Sequence, residues 1–359
     1  QDHNETMVDY KNPKLIVESS KVEPGQITWR SPSNLAIIKY WGKHGVQLPR
    51  NPSISFTLEN ARTETQLEYR PKTGADQGIS LDFSFHGEPN EAFKARIQKF
   101  LESLVEIFPF LRQLELTIRT GNSFPHSAGI ASSASSMSAL ALCLCTLEDT
   151  LFSTLEDDEA FDRKASYIAR LGSGSACRSI YGKMALWGNV SEVEGSSDEY
   201  AVPFGESLHD VFTTFHDDIL IVSKGEKSVS SSAGHELMNE NPYATPRYQQ
   251  AKQRLNQLLP ALKEGDVEKF GRIAEDEALT LHALMMASNP SYILLEPNSL
   301  AIMQRIQAYR KESGHPVYFS LDAGPNVHVL YPESVMHDVR LFIEEELLPL
   351  CQDSNWMSD

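Results

Sequence analysis

The segment Ser123-Phe-Pro-His-Ser-Ala-Gly-Ile-Ala-Ser-Ser-Ala-Ser-Ser-Met137 joins a predicted strand to a predicted helix. Apolar and polar residues alternate over Leu114–Arg119, as in a strand with one buried face. The run Ala139–Leu147 is apolar on all sides, which is typical of a buried helix. A small-residue loop at a helix start can bind an anion through its backbone N–H groups. Further donors are the hydroxyls of Ser132, Ser133, Ser135 and Ser136. The segment therefore predicts a phosphate-binding loop.

An alternative interpretation of this segment is a Ser/Ala-rich helix that packs closely against a neighbour. The segment matches neither Gly-x-x-x-x-Gly-Lys-Ser/Thr nor Gly-x-Gly-x-x-Gly. Both interpretations therefore stay open on this segment alone, and other parts of the chain must decide between them.

Composition excludes several classes of protein. The chain of 359 residues carries 32 Lys and Arg against 49 Asp and Glu, a net charge of −17, which argues against a nucleic acid or an anionic membrane as partner. No run approaches the roughly 20 apolar residues of a membrane span, and no secretory leader is visible. Four dispersed cysteines show neither metal-ligand spacing nor a disulfide framework, so we expect a cytoplasmic location and no protein-built metal site.

The order of patterns predicts an α+β protein of two domains. We expect a loose extension over residues 1–26, a strand-rich domain over 27–205 and a helix-rich domain over 206–359. The first domain contains strands with one wet face, such as the alternating residues 53–58. The second contains helices near 246–263, 266–287, 298–313 and 332–349.

Three further segments carry candidate site residues. Lys39 and Lys43 lie four apart in Asn34–Lys43 and suit an anion, although a solvated strand end is the simpler interpretation. Gly172–Arg178 is a second small-residue turn at a predicted helix start, where the alternative is an ordinary capped helix.

The third segment is Asp322–Asn326, which follows an apolar strand pattern. Its Asp322 suits a general base or an orienting group, or else an Asx turn. His282, in a predicted helix, is interpreted as a packed or surface histidine rather than a catalytic one.

Taken together and in this order, the four segments resemble the mevalonate 5-diphosphate decarboxylases of the GHMP kinase superfamily. The matching pieces are Asn34–Lys43, Phe124–Ala134, Gly172–Arg178 and Asp322–Asn326. The resemblance implies a two-domain GHMP kinase-like architecture with the active site in the cleft between domains. It also implies ATP and Mg²⁺ as cofactors, a small-molecule substrate and a homodimer.

The resemblance further implies a role for each matching residue. The ATP phosphates would be held by Ala128, Gly129, Ala131, Ser132 and Ser133. The substrate diphosphate would be held by Tyr40, Lys43, Ser173 and Ser175. Arg178 would hold the substrate carboxylate, while Lys39 and Asn34 would support the reacting centre. Asp322 would accept or orient the proton of the tertiary C3 hydroxyl.

The implied reaction phosphorylates the C3 hydroxyl and then expels phosphate and CO₂, giving isopentenyl diphosphate. A phosphomevalonate decarboxylase, a mevalonate 3-kinase and a non-catalytic nucleotide- or anion-binding paralogue stay open as alternatives. Several residues depart from the family pattern: Pro52, His126, Ser136, Ser232 and His235. The last two stand where an Arg of some bacterial members and a Met are expected.

Overall fold

The computed structural model describes residues 7–123, 132–224 and 230–358. Within these ranges the chain folds around two mainly antiparallel sheets, one from each half of the chain. None of the helices in the described ranges is both long and apolar enough to cross a bilayer. The predicted α+β fold class is confirmed.

The first half of the chain builds the larger sheet. The strands of this half of the chain are β1 (Gly25–Ile38), β2 (Lys43–His44), β3 (Leu48–Pro49), β4 (Ser53–Pro71), β5 (Ser80–Phe85), β6 (Leu114–Asn122), β7 (Met184–Trp187) and β8 (Ala201–Pro203). The sheet order is β5-β6-β4-β7-β8, and β1 also pairs with β4. Strands β5 and β6 are parallel, whereas β2 and β3 form a separate hairpin directly after the end of β1.

Helices cover one face of this sheet: α1 (Glu91–Ser103), α2 (Ser132–Phe152) and α3 (Asp158–Gly172). The predicted cap of α1 is confirmed, since the Asn90 side chain accepts a 3.0 Å hydrogen bond from the N–H of Phe93. The predicted buried helix is also confirmed, because Leu140 and Leu144 of α2 lie within the core. Ser135 faces the sheet, where its hydroxyl lies 2.6 Å from that of Thr63.

The second half builds a smaller sheet in the order β10-β11-β9-β12. Its strands are β9 (His216–Leu220), β10 (Tyr318–Leu321), β11 (Val327–Tyr331) and β12 (Trp356–Met357). Its helices are α4 (Asp210–Thr213), α5 (Ser231–Leu237), α6 (Ala244–Glu264), α7 (Val267–Met286), α8 (Pro297–Ser313) and α9 (Met336–Phe342).

A shared apolar core joins the two halves. Leu35 and Ile37 of β1 belong to the same buried cluster as Leu258 of α6 and Phe270 of α7. Burial of such side chains contributes about 1.5–3 kcal/mol each. The end of β1 is therefore fixed against helices of the second half, which positions the residues that follow it.

The N-terminal extension differs from the prediction. Most of residues 7–24 are exposed, but the segment is anchored to the first domain: Leu15 is buried, and the Val17 N–H donates a 2.8 Å hydrogen bond to Gln113. Within this segment, Ser19–Lys21 form a short 3₁₀ turn.

Three other local predictions were wrong. Ser53 and Ser55 are buried, so this part of β4 has no wet face. The predicted helix start at Gly172–Arg178 is instead the end of α3 followed by a 3₁₀ turn, Gly174–Ile180. The predicted helix over 332–349 is divided, because α9 gives way to a π-helical turn at Ile343–Leu347.

Candidate active site

Arg178 is a buried cation surrounded by neutral groups. It lies in the Gly174–Ile180 turn with only 3% of its surface exposed. Its guanidinium donates to Asn34 Oδ1 at 3.2 and 3.3 Å, to Ser55 Oγ at 3.0 Å and to Ser53 Oγ. Burial lowers the pKa of Arg178 to about 10, so the side chain stays charged at neutral pH. A buried charge without a counter-ion is costly, so this arrangement suits an anionic ligand.

Lys39 is a second buried cation and lies directly after β1. Its Nζ donates a 3.2 Å hydrogen bond to Ser320 Oγ on β10. Burial lowers the pKa of Lys39, whereas the carboxylates of Asp322 and Glu277 raise it and Arg178 lowers it further. Two cations that repel each other in a buried place favour binding of an anion between or beside them.

The backbone of Lys39 is held by hydrogen bonds to both its N–H and its carbonyl. Its N–H donates to Glu277 Oε1 at 2.9 Å, and its carbonyl accepts from Asn51 at 2.9 Å and Arg247 at 3.0 Å. Glu277 also forms an ion pair with Arg247 at 2.6 and 2.7 Å. The lysine is therefore positioned by helices α6 and α7 rather than by β1 alone.

Asp322 follows β10 and is held through both its backbone and its side chain. The Nε2–H of His282 donates a 2.8 Å hydrogen bond to the Asp322 carbonyl, and burial lowers the pKa of this histidine to about 4. His328 Nε2 lies 3.0 Å from Asp322 Oδ2, and its Nδ1 lies 2.7 Å from Asp217 Oδ1. Of the two positions expected for His282, packed or at the surface, the structure shows the packed one, since only 2% of its surface is exposed.

Three rings, those of Tyr40, Trp187 and His235, form an aromatic wall near Arg178 and Lys39. The Tyr40 ring is 4.6 Å from that of Trp187 and 4.3 Å from that of His235, between ring centroids. The Tyr40 hydroxyl is buried and has no hydrogen-bond partner in the described part of the chain. Burial raises the pKa of Tyr40, so its hydroxyl keeps its proton and can donate.

His235 is fixed as a neutral imidazole. Its Nδ1 accepts a 2.9 Å hydrogen bond from the N–H of Gly42, which assigns the ring proton to Nε2. Burial, and then the charges of Lys43 and Arg178, lower the pKa of His235 to about 3. The ring therefore presents an uncharged N–H donor close to the cationic cluster.

The Gly174–Ile180 turn lies directly against this wall. A Cβ at Gly174 would come within 2.9 Å of Trp187 and 3.0 Å of Tyr40, so only glycine permits the approach. Asn34 Nδ2 donates to the Ser175 carbonyl at 3.3 Å, which ties the turn to β1. Ser173 is the residue between α3 and the turn, and Lys43 Nζ donates to Gln47 at 3.2 Å within the β2–β3 hairpin.

The described part of the predicted phosphate loop is its helical end. Ser132 and Ser133 are the first two residues of α2, whereas Ala128, Gly129, Ala131 and His126 lie outside the described residues. The prediction that Ser135 adds a donor for phosphate is wrong, because its buried hydroxyl bonds to Thr63.

A cavity of about 640 Å³ with a charged lining lies against the first sheet. Its walls include Arg62, His86, Arg119, Asn122 and Ser123. Ser123 is the last described residue before the predicted phosphate loop.

The sequence analysis did not identify several residues that form hydrogen bonds to the predicted site residues. Ser53 and Ser55 alternate with apolar neighbours like residues of a wet face, and nothing in that pattern distinguishes them. His328 did carry a signal, because it is a lone titratable residue in the apolar strand Val327–Tyr331. Among the described residues, no group of three or more His, Cys, Asp or Glu is placed to hold a metal ion.

Comparison with known proteins agrees with this architecture. Residues 31–201 match the model of the diphosphomevalonate decarboxylase-like N-terminal domain, and residues 218–357 match the mevalonate 5-diphosphate decarboxylase C-terminal domain. The diphosphomevalonate decarboxylase of Gibberella zeae is 30% identical over 324 residues, which cover 84% of this chain and 80% of that protein.

Solved structures agree with this result. The mevalonate diphosphate decarboxylase of Staphylococcus aureus is 30% identical with a TM-score of 0.78, covering 94% of this chain and 95% of the other. A decarboxylase structure described as in complex with MVAPP, AMPPCP and magnesium is 28% identical, with a TM-score of 0.77 and coverage of 94% and 96%.

The fold and the buried cations define a GHMP kinase-like enzyme of two α+β domains. Its two halves match successive domains of one enzyme family over most of the chain. The chain belongs to the diphosphomevalonate decarboxylase family.

Proposed function

We propose that this protein converts (R)-mevalonate 5-diphosphate to isopentenyl diphosphate, with ATP as the phosphoryl donor, in the mevalonate route to isoprenoids. The main support for this proposal is the environment of Arg178, a buried guanidinium whose partners among the described residues are neutral. A substrate carboxylate supplies the missing negative charge and matches the planar fork of arginine. Lys39, buried beside it, adds a second cation to the same site.

The chemistry has two steps. The C3 hydroxyl oxygen forms a bond to the γ-phosphorus of ATP as the bond to ADP breaks, and Asp322 accepts or orients the hydroxyl proton. The C3–O bond then breaks to release phosphate, and the bond to the carboxylate carbon breaks to release CO₂. That electron pair forms the double bond of the product. Arg178 orients the carboxylate, while Lys39 and Asn34 support the reacting centre.

The diphosphate end of the substrate lies at the aromatic wall in this proposal. Tyr40 offers a protonated hydroxyl with no partner among the described residues, and Lys43 supplies a nearby charge. Ser173 and Ser175 add donors from the turn against which Tyr40 packs. The contact between Lys39 of the first half and Ser320 of the second supports an active site between the two domains.

ATP binds at the start of α2 in this proposal, where Ser132 and Ser133 extend the segment containing Ala128, Gly129 and Ala131. The unpaired N–H groups of a helix start suit phosphate oxygens. Magnesium would be held chiefly by the nucleotide phosphates, because Mg²⁺ commonly binds through substrate phosphates and few protein carboxylates. When bound, it neutralises charge that develops on the transferred phosphoryl group.

A substrate panel tests the function and its alternatives. Purified protein is supplied with ATP and either mevalonate, its 5-phosphate or its 5-diphosphate, and ADP, CO₂ and product are measured. The proposal predicts equal ADP and CO₂ with the diphosphate. ADP without CO₂ would indicate a 3-kinase, preference for the monophosphate would indicate a phosphomevalonate decarboxylase, and binding without turnover a non-catalytic paralogue. Asp322→Ala should abolish turnover while ATP still binds.

We also propose the domain limits 27–205 and 206–359, a homodimer and a cytoplasmic location. The chain leaves its first sheet at Pro203 and enters the second at His216, which supports the boundary. The four cysteines are buried free thiols, as expected in a reducing compartment. Sedimentation of the purified protein tests the dimer, and microscopy of a tagged chain tests the location.

A further inference from the structure

His328 lies between two carboxylates in the interior of the second domain. Its Nδ1 is 2.7 and 3.0 Å from the two oxygens of Asp217, and its Nε2 is 3.0 Å from Asp322 Oδ2. Only 1% of the His328 surface is exposed. An ionised carboxylate only accepts hydrogen bonds, so these contacts require an N–H on both ring nitrogens, which is the imidazolium form.

The sheet brings these groups together. His328 is on β11, which pairs antiparallel with β9, and Leu330 is directly opposite Asp217. Asp217 is therefore the diagonal neighbour of His328 on the same face of the sheet. Asp322 directly follows β10, the strand on the other side of β11, so the buried His328 ring links β9 to the loop that carries Asp322.

We propose that His328, held and charged by Asp217, is a positioning residue that sets the direction of the Asp322 carboxylate and keeps it ionised. The proposal rests on the proposed function, in which Asp322 accepts or orients the C3 hydroxyl proton. His328 does not contact the substrate in this scheme. It acts by fixing Asp322 Oδ2 in place, so that the carboxylate meets the hydroxyl in one orientation.

The surrounding charges agree with this role. Burial lowers the pKa of His328, but the carboxylates of Asp217 and Asp322 outweigh burial and raise it to about 10. Lys39, at the end of β1, also interacts electrostatically with both Asp217 and Asp322.

Other charged and titratable groups also lie near Lys39 and Asp322. Glu277 of α7 and Arg178 of the turn act on Lys39 with opposite signs. His282 of α7 is neutral near pH 7, because burial lowers its pKa to about 4. Asp322 therefore interacts with the His328 ring at 3.0 Å and with the more distant amine of Lys39 through its charge.

The first test is kinetic. His328→Gln keeps a hydrogen-bond donor but removes the charge, and we expect kcat to fall about 10- to 100-fold with KM for mevalonate 5-diphosphate changed little. The acid limb of the pH–rate profile should move to higher pH, because a carboxylate loses a neighbouring cation. The matched control is His315→Gln, a partly exposed histidine 3.0 Å from Asp338, and its kinetics should equal wild type. An unchanged kcat and pH profile in His328→Gln would overturn the proposal.

The second test does not depend on activity. Nitrogen NMR of labelled wild-type protein should show His328 doubly protonated up to about pH 9, and Asp322→Asn should bring its deprotonation to lower pH. A His328 ring that is neutral at pH 8 would overturn the inference even if the enzyme is active. Conversely, an imidazolium in a protein that does not turn over mevalonate 5-diphosphate would contradict the proposed function alone.

Discussion

The Glu277 carboxylate accepts a 2.9 Å hydrogen bond from the backbone N–H of Lys39, 238 residues earlier in the chain. Glu277 is fully buried and also pairs with Arg247 and Arg254. Burial raises the pKa of Glu277, but the Arg247 and Arg254 hydrogen bonds and charges outweigh this and lower it. Helix α7 thereby fixes the strand end that carries the buried lysine of the site.

Glu277→Gln should destabilise the protein strongly, because it leaves the buried Arg247 charge and the partly buried Arg254 charge without their carboxylate. Breaking a buried ion pair from one side costs about 3–5 kcal/mol. Urea unfolding followed by circular dichroism measures the change. The control is Glu159→Gln, whose exposed pair with Arg163 at 3.2 Å should matter little. Equal midpoints for both variants would refute the assigned role of Glu277.

Arg178→Lys should leave the protein folded and reduce kcat/KM on the order of 100-fold, because lysine cannot present a planar fork to a carboxylate. Lysine keeps the positive charge and three N–H donors, so it can still donate to some of the neutral oxygen atoms that surround Arg178. Steady-state kinetics with mevalonate 5-diphosphate measures the effect. Arg163→Lys, on the exposed face of α3, serves as the control and should behave as wild type.

His235 should make the protein sensitive to acid. Its pKa is about 3 in the folded state against 6.5 for the unperturbed side chain, so the unfolded chain binds more protons between these values. Its contribution to stability is present above pH 6.5 and is lost as pH falls towards 3. His235→Met removes this titration, so the urea midpoint should fall less between pH 7 and pH 4 than in wild type. His337→Met, at an exposed position, should keep the wild-type slope.

Local patterns were sufficient to predict much of this fold. The alternation of Leu114–Arg119, the cap at Asn90 and the apolar run before Leu147 each depend on neighbours within a few residues. The 3₁₀ turn at Gly174–Ile180 was predicted as a helix start, because small residues suit both conformations. In this turn Gly174 packs on Tyr40 and Trp187. The local sequence pattern contains no information about that contact.

The supports of the site could not be predicted, because they are distant in sequence. Asp217 and His328 are 111 residues apart, and their contact exists only once β9 pairs with β11. Ser53 and Ser55 lie in an alternating pattern typical of a strand with one wet face, but both faces of β4 are covered there. The second face is occupied by the buried Arg178, whose position depends on a turn more than 100 residues later.

Tyr40→Phe should separate binding from stability. The Tyr40 hydroxyl is buried without a partner among the described residues, so its removal should leave the free energy of unfolding unchanged or slightly higher. If this hydroxyl binds the substrate diphosphate, KM for mevalonate 5-diphosphate should rise about 10-fold, as expected for loss of about 1.4 kcal/mol of binding. Tyr331→Phe is the matched control, because its hydroxyl donates to Asp218 inside the second sheet. That variant should lose stability and keep the wild-type KM, whereas a stable Tyr40→Phe enzyme with unaltered KM would remove Tyr40 from the binding site.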